Sequence, residues 1–203
     1  MTSEALYYAR KFAHLKSLLL SGKQTTDDGL KNVREMNRLE RIYMWDANLV
    51  TDDGVSHLVT LPNLKFILLS NSKITDKALE SFKDMPQLET LYLQGNRFTD
   101  HGMQHLKPLT NLRHLSLGLG DTQITDDGLA HLNELTKLES LGLQHTHVID
   151  KGLRHLVGLT RLQILDLAGT AVTSAGMGSL ENKLPNLEIS HDLPSENEFN
   201  RSE

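Results

Sequence analysis

LESLGLQHTHVIDKGLRHLVGLTR, residues 138–161, is one copy of a pattern that recurs along almost the whole chain. Each copy opens on a leucine, and the successive intervals are 24, 25, 24, 24, 26, 24 and 25 residues, between Leu15, Leu39, Leu64, Leu88, Leu112, Leu138, Leu162 and Leu187. A period of this size predicts a stack of similar units, in which each unit buries its apolar face only against its neighbours.

Each copy divides into a strand half and a helix half. The segment L-x-x-L-x-L alternates apolar and variable residues, which predicts a half-buried strand. The segment G-L-x-x-L-x-x-L spaces its leucines by three, which favours one face of a short helix. Between the halves stand Thr26-Asp27, Thr51-Asp52, Thr75-Asp76, Thr99-Asp100 and Thr125-Asp126, then Ile149-Asp150 and Thr173-Ser174. We expect these hydroxyl and carboxylate oxygens to cap the helices.

The two halves differ in width, and this difference predicts the shape of the stack. Neighbouring strands lie about 4.8 Å apart, whereas packed helices need about 8–10 Å between their axes. A strand–helix–strand connection between parallel strands is expected to be right-handed. The sequence therefore predicts an α/β, right-handed solenoid shaped like a horseshoe, with a concave parallel sheet and convex short helices.

The repeated pattern L-x-x-L-x-L-x-x-(N/T/S)-x-I resembles the leucine-rich repeat. Its second half, I-T-D-x-G-L-x-x-L-x-x-L, is similar to the 24-residue class seen in bacterial proteins, including GALA-type effectors, and in the repeats of some F-box proteins. The polar signature position is filled by Asn48, Ser72, Asn96, Thr122, Thr146 and Thr170, with Lys23 as a departure. The resemblance covers residues 15–190 and implies a protein-binding scaffold, without indicating the partner.

We expect one leucine-rich repeat domain over residues 1–190. Residues 4–14, with Leu6, Ala9 and Phe12, match the helix half of a unit and are expected to cap the first core layer. Seven repeats follow over residues 15–186, and residues 187–190 begin a terminal strand. Residues 191–203 are polar, and we expect a disordered tail there. Whether Leu193 or Phe199 folds back over the last layer is open.

The composition limits the classes of function. The 203-residue chain carries a net charge of -5, which argues against nucleic acid as a partner. It contains no cysteine, so disulfides and thiolate metal sites are excluded. No stretch reaches the roughly 20 apolar residues of a membrane span, and residues 1–16 lack the apolar run of a signal peptide. We expect a cytoplasmic protein, or a secreted or periplasmic one if an export signal was removed.

The variable strand positions form columns across the predicted sheet, and they carry the candidate binding residues. An aromatic patch covers repeats two to four, with His114 facing the same cavity; the partner-binding candidates are Arg41, Tyr43, Trp45, Phe66, Leu68, Tyr92 and His114. Tyr, Trp and Arg dominate binding hot spots, and a contiguous exposed apolar patch marks an interface. The alternative is that these side chains pack only among themselves.

Three functions are compatible with this face. The first is a non-catalytic module that binds a protein or peptide. The second is a module that binds a glycan through the same rings. The third is a self-associating scaffold, in which the open edge of the first strand, Leu15 to Leu20, pairs with a second copy in a homodimer.

Other recurring features have structural explanations. The residues Lys16, Glu40, Lys65, Glu89, Arg113 and Glu139 alternate in charge, which predicts surface ion pairs between neighbouring repeats. The loops at 45–47 and 118–121 are one and two residues longer than usual, and they either bind a ligand or are tolerated bulges. The column of Asp residues could alternatively form a calcium ladder, but capping explains it better.

The ten histidines do not predict a metal or catalytic site. His57, His105, His131 and His155 recur at one helix position, on helices too far apart to share one ion. His145 and His147 form an H-x-H pair without a third ligand in view. We find no pattern of a nucleophile or of a phosphate-binding loop, and we expect no enzyme activity, cofactor or metal.

Overall fold

The computed structural model describes residues 3–9, 11–12 and 14–192. Eight parallel strands form one open sheet in chain order. They are β1 Ser17–Ser21, β2 Arg41–Trp45, β3 Phe66–Leu69, β4 Thr90–Tyr92, β5 His114–Ser116, β6 Ser140–Gly142, β7 Ile164–Asp166 and β8 Glu188–Ser190. This architecture confirms the predicted solenoid with its concave parallel sheet.

Short helices follow the strands on the opposite side of the core. The α-helices are α1 Ser3–Ala9, α2 Asp27–Leu30, α3 Asp52–Leu58, α4 Asp76–Phe82, α5 Asp100–Met103, α6 Asp126–Leu129 and α7 Ser174–Glu181. The 3-10 segments are Gly22–Gln24, Lys31–Glu35, Gln104–Leu106, Ala130–Leu132 and Gly152–His155. Among the described residues no helix is long and apolar enough to cross a bilayer.

The repeated leucines build one continuous core between the two layers. The leucine columns of the strands and helices are buried along the whole stack. At the amino end, Leu6 and Ala9 of α1 belong to this core, whereas the Phe12 side chain is 66% exposed. Phe12 therefore does not continue the buried face that its spacing predicted. Leu193 and Phe199 lie outside the described residues.

The polar signature position differs from the prediction in the second repeat. Asn48 is exposed, and Ala47 is buried in its place and donates its backbone N–H to Ser70 O at 3.0 Å. The extra residue of this repeat therefore follows the signature position. Two repeats on, the buried Asn96 occupies the signature position. Its Nδ2 donates to two backbone carbonyls, and its Oδ1 accepts from the Ser72 N–H.

The Thr-Asp pairs have two separate roles. Each Thr hydroxyl caps its own helix, as Thr125 Oγ1 does by accepting from Asp127 N. The aspartates lie in the first helical turn, as predicted, but the hydrogen bonds predicted within their own helix are replaced by bonds to the next repeat. Each carboxylate instead reaches the next repeat, where Asp100 Oδ1 accepts from Thr125 N at 2.8 Å and Asp100 Oδ2 accepts from Thr125 Oγ1 at 2.6 Å.

This carboxylate bridge recurs along the stack. It joins Asp27 to Thr51, Asp52 to Thr75, Asp76 to Thr99, Asp100 to Thr125, and Asp150 to Thr173. It also explains the glycine two positions after the aspartate, because a methyl group on Gly102 or Gly128 would overlap the Oδ1 of the preceding repeat's aspartate. One repeat, with Ala78 at this position, tolerates the larger residue.

The bridge is incomplete between the fifth and sixth repeats. Asp126 Oδ1 still accepts from the Ile149 N–H at 2.9 Å. Isoleucine has no hydroxyl, so it neither donates to the second carboxylate oxygen nor caps the following helix. The sixth repeat accordingly has the 3-10 segment Gly152–His155 where its neighbours begin with α-helical turns.

The last strand pairs one residue out of the predicted register. Glu188 pairs with Ile164, and Ser190 pairs with Asp166. Because Leu187 opens the eighth repeat, the sequence predicts Glu188 at the second strand position, which Glu139 occupies in the sixth repeat. In the structure Glu188 instead lies in the strand column that faces the concave side, 24 residues after Ile164.

Restoring the missing hydroxyl by Ile149→Thr is expected to stabilise the protein. The new side chain completes the bridge to Asp126 and caps the helical segment of the sixth repeat, worth about 1 kcal/mol or roughly 2–4 °C in melting temperature. Thermal unfolding followed by circular dichroism measures the change. The control is Ile164→Thr, the same substitution at an exposed strand position without a bridging carboxylate. Equal melting temperatures for the two variants would contradict the role assigned to the bridge.

Candidate binding face

The parallel register brings the predicted patch residues together on the concave face. Arg41 pairs with Phe66, and Tyr43 lies between Leu19 and Leu68 on the neighbouring strands. Tyr92 follows Leu68 in the same column. Six of the seven candidates therefore lie on three consecutive strands, as the sequence columns indicate.

Four aromatic rings form a connected chain across these strands. Trp45 stacks on Tyr43 with ring centroids 5.7 Å apart and an angle of 20° between the planes. Tyr43 lies 4.6 Å from Phe66, and Phe66 meets Tyr92 edge to face at 5.8 Å. Such ring pairs contribute beyond their area burial. The rings therefore support one another, as the packing alternative predicts, while the surface they form stays open.

The patch presents apolar surface to solvent at its amino end. Trp45 is 49% exposed, and Leu19 is 59% exposed on the neighbouring strand. Tyr43, Phe66 and Tyr92 are partly exposed. Burial raises the pKa of the Tyr92 hydroxyl above its ordinary value. The sequence shows Leu19 in the column of Tyr43, but a leucine did not stand out as a candidate by its residue type. Its exposure and its pairing with Tyr43 identify it as part of the patch.

His114 lies apart from the ring chain. It is half-buried and pairs with Thr90 and Ser140, so Thr90 separates it from Phe66 in the same column. The aromatic contacts of the concave face, among the described residues, end at Tyr92. His114 thus begins a more polar half of the face, and its role in binding stays a prediction.

The side chains of alternating charge form ion pairs at the amino-terminal ends of the strands. Lys16 Nζ lies 2.7 Å from Glu40 Oε1, and Lys65 Nζ lies 2.8 Å from Glu89 Oε1. Arg113 pairs with Glu139 in the same way. The hydrogen bond from Lys16 lowers the pKa of Glu40, and that with Glu89 raises the pKa of Lys65. These exposed pairs match the ion pairs predicted between neighbouring repeats, and they lie beside Arg41.

The two lengthened loops leave the carboxyl ends of β2 and β5. Asp46 has φ +51° and accepts from Asn71 Nδ2 at 2.9 Å. Leu119 has φ +64°, a left-handed backbone conformation that most residues avoid, and its side chain is exposed. Asp121 pairs with Arg97 at 3.4 Å. Contacts to neighbouring repeats thus hold both loops, and a binding role for either stays a prediction.

The histidine column lies on the helix side, away from the concave face. His57 is buried and lies 3.4 Å from Ser56 Oγ. Burial is the main cause of the lowered pKa of His57 and of His131. Residues 3–9, 11–12 and 14–192 contain no group of three His, Asp or Glu placed to hold a metal ion.

Comparison with known proteins agrees with this geometry. Residues 37–98 and 62–118 match the family model of the leucine rich repeat. No curated protein matches the chain significantly.

Solved structures share the leucine-rich repeat fold over most of the chain. The internalin InlF from Listeria monocytogenes is 24% identical with a TM-score of 0.70, and the alignment covers 92% of this chain and 50% of the InlF chain. The internalin C2 from the same organism is 20% identical with a TM-score of 0.58, covering 92% of each chain. The Arabidopsis receptor kinase HAESA, solved with the peptide hormone IDA and the co-receptor SERK1, is 24% identical with a TM-score of 0.61, covering 87% of this chain and 28% of its own.

Two histidines of the helix side, the buried His57 and the half-buried His131, predict a specific loss of stability on acidification. Burial lowers the pKa of both side chains in the folded state. Below about pH 6.5 the unfolded chain therefore binds more protons, and the free energy of unfolding falls. We expect His57→Gln with His131→Gln to make the loss between pH 7.5 and 5.5 smaller, as measured by urea unfolding. The exposed His101→Gln is the control, and an unchanged pH slope in the double variant would be inconsistent with this assignment.

Proposed function

We propose that the protein is a non-catalytic module that binds a protein or peptide on its concave face. The observation that carries the proposal is the chain of four rings from Trp45 to Tyr92, exposed on neighbouring strands. A buried core already stabilises each repeat on the other side of the sheet. The outward-facing rings thus add apolar surface that the fold does not require, as at an interface.

The geometry favours a rigid binding surface over a flexible one. The rings hold one another in place, and the parallel strands fix their backbone positions. A preformed surface loses little conformational entropy on binding. Tyr43, Trp45, Phe66 and Tyr92 would supply the apolar contact area, with Leu19 and Leu68 beside them and Arg41 as a charged neighbour.

A peptide or protein suits this surface better than a glycan. Sugars bind against open ring faces, but one face of Tyr43 stacks on Trp45 and Phe66 tilts against it at 4.6 Å. The patch is therefore a continuous, slightly uneven apolar surface, which suits aliphatic or aromatic side chains. HAESA, whose solved structure holds a peptide hormone, has a similar fold, which supports the class of partner and nothing finer.

We further infer that the repeats belong to the 24-residue class. The paired strand positions Ser17, Arg41, Phe66, Thr90, His114, Ser140, Ile164 and Glu188 support this. They follow one another by 24, 25, 24, 24, 26, 24 and 24 residues in the sequence.

The patch is tested by replacing Tyr43, Trp45 and Tyr92 together with serine. Peptides selected from a displayed random library on the whole chain are expected to lose at least about tenfold in affinity for this variant, because hot-spot rings each contribute 2 kcal/mol or more. The single tryptophan, Trp45, lies within the patch. Its fluorescence is therefore expected to shift to shorter wavelength when a peptide covers it.

A matched control replaces exposed apolar residues outside the patch, Leu49, Leu119 and Val157, with serine. This control variant is expected to keep its affinity. If the selected peptides bind both variants as tightly as the original chain, and Trp45 fluorescence does not respond, the patch is not the interface.

Self-association through the first strand stays a separate prediction. β1 lies at the edge of the sheet, and its residue Leu19 is exposed. Pairing of two β1 edges would give a homodimer whose mass rises with concentration in static light scattering. A constant monomeric mass up to high concentration would rule this interface out.

A further inference from the structure

The concave face has two chemically different halves. The charged strand side chains lie at opposite ends of its two central columns, with Arg41 on β2 and with Asp166 and Glu188 on β7 and β8. Between the rings and these acids the columns hold small or polar residues, His114, Ser116, Ser140 and Gly142, and Ile164. The half beyond Tyr92 is therefore polar and acidic, whereas the half before it is aromatic.

A notch in the polar half contains side-chain atoms without hydrogen-bond partners. Gly142 has no side chain, and a methyl group there would meet Ser116 Oγ and Gln144 Oε1. Both oxygens are buried, and neither has a partner. The Ser116 residue as a whole is 5% exposed. Unpaired buried polar atoms are rare in folded proteins, so each needs a physical explanation.

One further side chain fixes the chemistry of the notch. Gln144 Nε2 donates to Asp166 Oδ2 at 2.6 Å, and Ala168 N donates to Asp166 Oδ1 at 3.1 Å. The carboxylate accepts only, so the amide nitrogen of Gln144 must face it. The amide oxygen then turns toward Ser116. The Gln144 amide is thus bound through its nitrogen, while its oxygen lies over Gly142 without a hydrogen-bond partner.

The groups around the notch are suited to a cation that donates several hydrogen bonds. Asp166 supplies a negative charge, and Gln144 Oε1 and the Ser116 hydroxyl are acceptors that are buried and unpaired in the unbound chain. A guanidinium has five donors in a planar fork, and it pairs with carboxylates more specifically than an ammonium does. To admit the cation, the half-buried Gln144 side chain would give up its hydrogen bond to Asp166 Oδ2 and turn outward, so that Asp166 and Gln144 Oε1 both accept from the cation.

We propose that the notch formed by Ser116, Gly142, Gln144 and Asp166 binds an arginine side chain of the peptide whose apolar residues occupy the aromatic patch. This inference rests on the proposed function and adds the charge and orientation of the partner. Tyr92 and Asp166 are three strands apart, or roughly 14 Å at the usual strand spacing. An extended peptide covers that distance in about four residues.

Peptide selection tests the proposal with the whole chain as the target. A random library displayed on phage is the probe, and the selected peptides are expected to carry arginine about four residues from an aromatic or aliphatic residue. For a selected peptide, Asp166→Asn is expected to weaken binding about tenfold or more. Replacing the peptide arginine with alanine is expected to cost the same on the original chain and almost nothing on Asp166→Asn. This coupling identifies the pair directly.

Two variants separate binding from folding. Ser116→Ala removes a hydroxyl that has no partner in the unbound chain, so we expect an unchanged or higher melting temperature together with weaker binding of the arginine peptide. Glu188→Gln removes the other acid of this half and is the matched charge control, with a smaller effect expected. Peptides that need Tyr43, Trp45 and Tyr92 but show no coupling to Asp166 would overturn this inference alone. A selection without peptides that need the patch would overturn the proposed function as well.

Discussion

The carboxylate that bridges each repeat to the next is the interaction on which the regular stack depends. A leucine core drives the repeats together, but apolar contacts are not directional and do not by themselves fix the position of each helix. The aspartate fixes it, because both its oxygens bind one residue of the following repeat. In the repeats with glycine two residues after the aspartate, the same oxygen lies where a side chain would begin. One contact thus accounts for the threonine, the aspartate and the glycine of the repeated pattern.

Much of the fold could be predicted because the leucines recur at a fixed period. The strand columns, the parallel order and the helix layer follow from that period, and the ring residues fall on one face as the columns indicate. The sequence could not show which repeat an aspartate serves, because a carboxylate three atoms from the backbone reaches its own helix and its neighbour equally well. It also misplaced Glu188, because leucine spacing identifies buried positions and does not determine strand pairing.

The candidate site was only partly predictable for a related reason. Aromatic residues on a sheet are conspicuous, so Tyr43, Trp45, Phe66 and Tyr92 could be found by residue type. Ser116, Gly142 and Gln144 are ordinary residues, and they become notable only when two of their oxygens prove to be buried without partners. Leu19 was likewise hidden by its type, since most leucines of this chain are buried and this one is 59% exposed.

The isoleucine at position 149 makes the solenoid mechanically uneven. In a linear array, stability is set by the contacts between adjacent repeats, so the weakest junction determines where the chain separates first. One weakened junction lies between the fifth and sixth repeats, where Asp126 holds a single backbone N–H. The notch crosses the same junction, with Ser116 on one side and Gln144 on the other. A ligand bound there would bridge this junction, and the two blocks of repeats would resist separation more strongly while it is bound.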